Sequence, residues 1–212
     1  MQENYFDLPD LQKIRQSVSA HSAAQYQVGE KTRQASVAVI LRSVSNQKNP
    51  VEVLFIKRSD RPNDAWSGQM AFPGGHLDVE DNSLLDAAIR ETREEIGLDL
   101  EEKNYIGDLD QQRAVAKGAP LDMLIAPFVF HIDGNPQFTP NYEVADVVWA
   151  PLNEMILATN HSWEEKHVRG TTSVFNGYRL SEQHFVWGLT YRMIKSMFTV
   201  INPQWRAPVE KA

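Results

Sequence analysis

The stretch FPGGHLDVEDNSLLDAAIRETREEIGL, Phe72 to Leu98, does most to limit what this chain can become. Two adjacent glycines open it, and Leu85, Ala88, Ile89, Thr92 and Ile96 then recur at spacings of three and four residues. That period predicts a helix of about four turns with one core-facing stripe. Asn82 or Ser83 can cap its start, and Gly97 is placed to end it as a left-handed C-cap. Glu91, Glu94 and Glu95 fall off the stripe, and the spacing predicts that they point the same way.

Arg90 can pair with Glu94 across one turn and Arg93 lies on the flank, so part of this acidity is ordinary ion pairing. Three carboxylates in the C-terminal half of a helix, where the macrodipole already disfavours negative charge, repel one another unless a cation sits among them. Hard divalent ions such as Mg²⁺ or Mn²⁺ take oxygen ligands and keep positions for water or phosphate. The Gly74-Gly75 turn would let backbone approach such an ion without a Cβ in the way. On the residues alone, a metal site and a solvated acidic face both remain open.

The chain has 212 residues, 42% hydrophobic and 23% charged, enough for a sizeable core. It has no cysteine, which excludes disulfides, thiolate nucleophiles and cysteine-bound zinc. A formal charge of -7 argues against bulk electrostatic binding to nucleic acid. No stretch approaches the roughly 20 consecutive apolar residues of a membrane helix, and MQENYFDLPD lacks the basic and apolar regions of a signal peptide. The expectation is a cytoplasmic protein.

Leu8, Leu11, Ile14 and Val18 predict an N-terminal helix over residues 7–28, so residues 1–30 are read as a helical extension and 31–212 as the main domain. QASVAVILRSV (34–44) and VEVLFIKRS (51–59) read as two strands of a hairpin across SNQKNP. A long loop, RSDRPNDAWSGQMAFPGG, ends in a short strand. YIGDLDQQRA, LIAPFVFHI and VADVVWAPL supply three more strands, and PLNEMILA a short helix. Residues 184–199 carry Trp187, Tyr191, Ile194 and Phe198 at helical spacing and predict a buried C-terminal helix.

Gly75 followed by Arg90-Glu91-Thr92-Arg93-Glu94-Glu95-Ile96-Gly97-Leu98 resembles the Nudix box: Gly, five residues, Glu, seven residues, then Arg-Glu-apolar-any-Glu-Glu-any-Gly-apolar. Three departures stand out. Counting back from Arg90 gives Asn82 where the family has Glu, the spacing from Gly75 is one residue longer, and Thr92 replaces an aliphatic residue. Asp81 or Glu80 can stand in for the missing Glu, which in the family pairs with the box Arg. The longer loop, the segment from Arg58 to Gly75 and the later VWGLTYRMI are similar to the coenzyme A pyrophosphatase branch.

The resemblance implies an α/β/α sandwich with a mixed sheet, and a Mg²⁺- or Mn²⁺-dependent hydrolase of a nucleoside diphosphate derivative, coenzyme A or an acyl derivative favoured. It implies metal ligation by Glu91, Glu94, Glu95 and the Gly75 carbonyl, with Glu143 or Glu94 as general base. Arg90, Gly74 and Gly97 are expected as structural supports, and Arg58, Arg61 and Trp66 as substrate contacts. Lys57 is a further candidate cation. His76 could approach a phosphate, while the other five histidines show no paired ligand spacing. ADP-ribose or nucleotide-sugar hydrolysis, removal of damaged triphosphates and a non-catalytic nucleotide-sensing domain stay open as alternatives. The expected partner is a small molecule, with neither nucleic acid nor membrane, and assembly as a homodimer is left open.

Overall fold

Strands β1 (Arg33–Ser43) and β2 (Val51–Arg58) form the centre of a mixed sheet in a computed structural model that describes residues 8–44, 51–62, 64, 66–116, 119–168 and 171–212. Their alternation sorts the molecule into layers. Ala35, Val39 and Leu41 of β1, with Val51, Val53 and Phe55 of β2, enter one core, while Ala38, Ile40, Leu54 and Ile56 enter another. Side chains in a strand point to opposite faces in turn, so a sheet with apolar residues at both parities must be covered on both sides.

The first face is covered by α1 (Leu11–Ser19), α3 (Leu152–Ile156) and α4 (Gly188–Ile201), and the second by α2 (Leu84–Ile96). This is the expected α/β/α sandwich. Three further strands, β5 (Tyr105–Asp108), β6 (Gln112–Ala116) and β7 (Ala119–Ile132), lie on one side, and β8 (Val144–Pro151) closes the other. β7 runs parallel to β1 from Arg33↔Met123 to Arg42↔Ile132, whereas the other pairings are antiparallel.

β1 and β2 pair only over Leu41–Ser43 and Val51–Val53. Beyond that the two strands part. The freed edge of β1 is taken by β4 (Gly74–His76) and that of β2 by β3 (Met70–Ala71), so Phe72 and Pro73 bridge a wedge opened in the sheet. The functional site lies at this wedge.

Four expectations need correction. The N-terminal helix ends at Ser19 instead of running to residue 28. Beyond it, Asp110 accepts from the Ala24 N–H and Gln111 from the Tyr26 N–H, tying that segment down in a non-helical course. YIGDLDQQRA is two strands, interrupted where the Leu109 N–H donates to Pro127 O. Phe185–Trp187 is strand β11, so the C-terminal helix starts only at Gly188. Tyr191, Ile194 and Phe198 are buried as expected, but Trp187 packs edge-on against Phe175. Finally, β9 (His161–Val168) and β10 (Thr171–Arg179) join β11 in a second, three-stranded sheet that had no place in the expectation. The SNQKNP turn lies outside the described residues. No described helix is long and apolar enough to cross a membrane.

Candidate active site

α2 is built as its sequence directs. The Ser83 hydroxyl accepts from the Asp86 N–H at 3.1 Å, and Gly97 ends the helix at φ 69° with its N–H on Arg93 O. Docking on the sheet then separates the three glutamates. Glu95 is 2% exposed and Glu91 half-buried, whereas the Glu94 side chain is 52% exposed. The difference is one of burial: Glu91 and Glu95 turn toward the sheet and Glu94 stays in solvent, although one Arg90 nitrogen still reaches both Glu91 and Glu94.

Arg90 clamps the glycine-rich loop to the helix. Its Nε and Nη2 meet the two Asp81 oxygens at 2.9 and 2.8 Å, its Nη1 reaches Glu91 at 2.9 Å and Glu94 at 3.3 Å, and Nη2 also donates to His76 O. Asp81 thus fills the pairing role left by Asn82. This hydrogen-bonded ion pair holds the Asp81 carboxyl below the usual range and keeps Arg90 protonated.

The turn at Gly74 and Gly75 is glycine for two different reasons. Gly74 has φ 149°, and a Cβ there would stand 2.2 Å from Ser36 O; a Cβ on Gly75 would stand 2.5 Å from the Glu91 carboxylate. The Gly74 N–H donates to Glu95 Oε2 at 2.9 Å. Burial pushes the Glu95 carboxyl up to about 8; Gly74 and Arg58 oppose that rise, while Glu91 and Glu143 reinforce it. Glu91 is also raised, by burial first.

Glu143 reaches the same place from a distant part of the chain. The Thr139 N–H donates to Ile96 O and the Asn141 N–H to Glu95 O, both at 2.8 Å, so the loop before β8 is stapled to the end of α2. The Asn141 side chain accepts from the Glu143 N–H, and Glu143 O accepts from the Ser59 N–H. The Glu143 carboxylate pairs with Arg61 at 3.0 Å, and Arg61 lies over the Tyr142 ring at 4.5 Å.

A cavity of about 290 Å³ opens here, lined by Glu91, Glu95, Glu143, Arg58, Trp66, His76, Gly74 and Gly75 among others. Arg58 pairs with Asp64 at 2.8 Å and keeps a buried Nε with no partner among the described residues. Glu94, Arg61 and Lys57 do not line it. The other five histidines are engaged elsewhere: His21 with Asp110, His131 with Arg15, His161 with Tyr191, His167 with Thr172 and His184 with Ser181. Sequence reasoning missed Ser36, Met123, Thr190 and Met193 in the lining, which carry no local signal.

Among the described residues no group of three carboxylates or imidazoles forms a finished metal cage. Glu91 and Glu95 nevertheless offer oxygen donors beside a turn where only glycine fits, a donor set suited to a hard divalent ion. Buried carboxylates of like charge, one pushed up to about 8, are sites that a cation would stabilise in the ionised form.

At the wedge of a mixed sheet between helical layers, a clamped glycine turn thus leads into an acidic helix. Residues 32–170 match the NUDIX domain family. The chain belongs to the Nudix family of hydrolases. It is 35% identical over 183 residues to the mitochondrial coenzyme A diphosphatase NUDT8 of Homo sapiens, covering 82% of this chain and 72% of that one. An uncharacterized protein of Schizosaccharomyces pombe is 37% identical over 142 residues, 59% of this chain; the match spans only 43% of that relative's length. A MutT/nudix family protein from Enterococcus faecalis shares the fold with a TM-score of 0.53 at 16% identity, over 92% of this chain and 69% of that one.

Proposed function

We propose that this Nudix hydrolase cleaves the pyrophosphate bond of coenzyme A or an acyl derivative, with Mg²⁺ or Mn²⁺ as cofactor. The observation that carries the reading is the convergence of Glu91, Glu95 and Glu143 on one cavity beside the Gly74-Gly75 turn. The choice of coenzyme A is supported by the 35% identity to a coenzyme A diphosphatase. In this reading Glu91, Glu95 and the Gly75 carbonyl would hold the ion, which would supply neutralisation of phosphate oxygens and activation of water.

The protein's own groups do the rest. Glu143 is the proton acceptor, favoured over Glu94 because it faces the cavity while Glu94 lies in solvent beside Arg90. Arg58, which lines the cavity, offers its guanidinium charge to a phosphate, and Arg61 acts from outside the lining through its pair with Glu143. Trp66 closes the cavity wall against the core. Arg90 and Gly97 act as supports, keeping Glu91 and the Glu143 loop in place.

Products would be separated after incubation with coenzyme A, ADP-ribose, nucleotide sugars, dinucleoside polyphosphates and oxidised triphosphates. The expected result is 3′,5′-ADP and 4′-phosphopantetheine from coenzyme A ahead of all other cleavage, abolished by chelation and restored by Mg²⁺ or Mn²⁺. Glu95→Gln and Glu91→Gln should each lower kcat by about 10²-fold or more. Preferential cleavage of ADP-ribose or a nucleotide sugar would discard coenzyme A, and nucleotide binding without turnover would make the domain a sensor.

A further inference from the structure

The cavity has two unlike ends. Its charged lining comes from α2, the end of β2 and the Glu143 loop, but Val37, Met123, Leu189 and Met193 belong to the core on the opposite face of the sheet. The wedge between β1 and β2 joins the two sides. On the far side α4 supplies the floor through Leu189, Thr190 and Met193, residues beyond the 32–170 family match. Thr190 spends its hydroxyl on Met70 O at 3.0 Å, which leaves its methyl as the group to offer.

Three of the chain's six methionines, Met70, Met123 and Met193, line this one space. Methionine is unbranched and repacks readily, so such a wall accommodates ligands of differing shape. A sugar or second nucleoside would lose water from its hydroxyls here with few partners in return, whereas methylene groups gain by leaving water. At about 290 Å³ the cavity is at the lower end of the roughly 300–1,000 Å³ of small-molecule sites, so it holds one arm of a large substrate. At the sheet, Ser36 also lines the cavity, with its Oγ fully buried and without a partner among the described residues.

We propose that α4 is the specificity element of this enzyme: the chamber floored by Leu189, Thr190 and Met193 takes the slender, uncharged arm esterified to the diphosphate, and tolerates arms of different length. The assignment rests on the coenzyme A reading. Its test is calorimetric binding of 4′-phosphopantetheine and of 3′,5′-ADP to the full chain in Mg²⁺, for the native protein, Met193→Phe and Leu189→Gln, with KM and kcat for coenzyme A and short acyl thioesters.

Filling the chamber in Met193→Phe should weaken 4′-phosphopantetheine about tenfold, leave 3′,5′-ADP unchanged, and raise KM for coenzyme A without lowering kcat. Leu189→Gln, at a less buried position, should act in the same direction and covers the case in which Met193→Phe does not fold. Equal weakening of both fragments, weakening of neither, loss of 3′,5′-ADP alone, or no binding of 4′-phosphopantetheine to the native protein would overturn the assignment. Selective loss of the pantetheine fragment in a protein that fails to cleave coenzyme A would sink the functional reading and leave the chamber assignment standing.

Discussion

Adjacent glycines at 74 and 75 look equivalent in sequence but answer to different constraints. Gly74→Ala places a methyl against the Ser36 backbone carbonyl in a conformation that L residues rarely adopt, and neither can yield. It should cost about 1–3 kcal/mol of stability or more, seen in a denaturant melt. Gly75→Ala meets the carboxylate end of the Glu91 side chain, which can shift where backbone cannot, so the fold should survive while Mn²⁺ affinity in a calorimetric titration falls. Equal loss of stability in the two variants would refute this division. Asp81 makes a second residue-scale case. Its folded-state pKa is lowered by Arg90, so its contribution to stability is full above the ordinary carboxylate range and lost as pH falls through the lowered value. Asp81→Asn should therefore melt lower than the native protein at pH 7, with the gap closing toward pH 3; a gap independent of pH would show that the pair's charge is not what matters.

At the scale of elements, the caps of α2 do more than end a helix. Ser83→Ala removes one hydrogen bond at an exposed N-cap and should cost about 1 kcal/mol, a melting shift of roughly 2–4 °C. Gly97 sits where a Cβ would stand 3.1 Å from the Thr139 side chain, in the loop that delivers Glu143. Gly97→Ala should therefore lower kcat as well as stability, whereas Ser83→Ala should leave kcat alone. An activity loss in Gly97→Ala no larger than in Ser83→Ala would show that the 139–143 loop does not depend on this cap.

Across the whole molecule, the C-terminal part of the chain closes one face of the sheet. Trp205 is 8% exposed, packs edge-on against Phe198 and donates its indole N–H to Ile156 O at 2.9 Å, joining α4 to α3. Trp205→Ala should cost about 3–5 kcal/mol, a fall of roughly 6–20 °C in melting temperature by calorimetry. A fall of only a degree or two would mean that this contact is peripheral. α4 is thus both a stabilising layer and the floor of the cavity.

What the sequence determined by itself was local. The period of α2, its Ser83 and Gly97 caps, the glycine turn and the β1 and β2 strands follow from neighbours a few positions apart, and so does the box spacing that marked the Nudix resemblance. Helical geometry alone could not tell Glu94 from Glu95, because their burial depends on which side of the wedge receives the helix. The pairing of Arg90 with Asp81 was within reach as one of two alternatives, and the fold chose between them. The Glu143 loop stapled to α2, the opening between β1 and β2, the second sheet and the methionine-lined chamber all come from contacts between residues far apart in the chain. Such contacts leave no periodicity in the sequence, since each partner satisfies its own local pattern; only the tertiary structure, by packing both faces of the sheet at once, decided where acid and apolar surface meet.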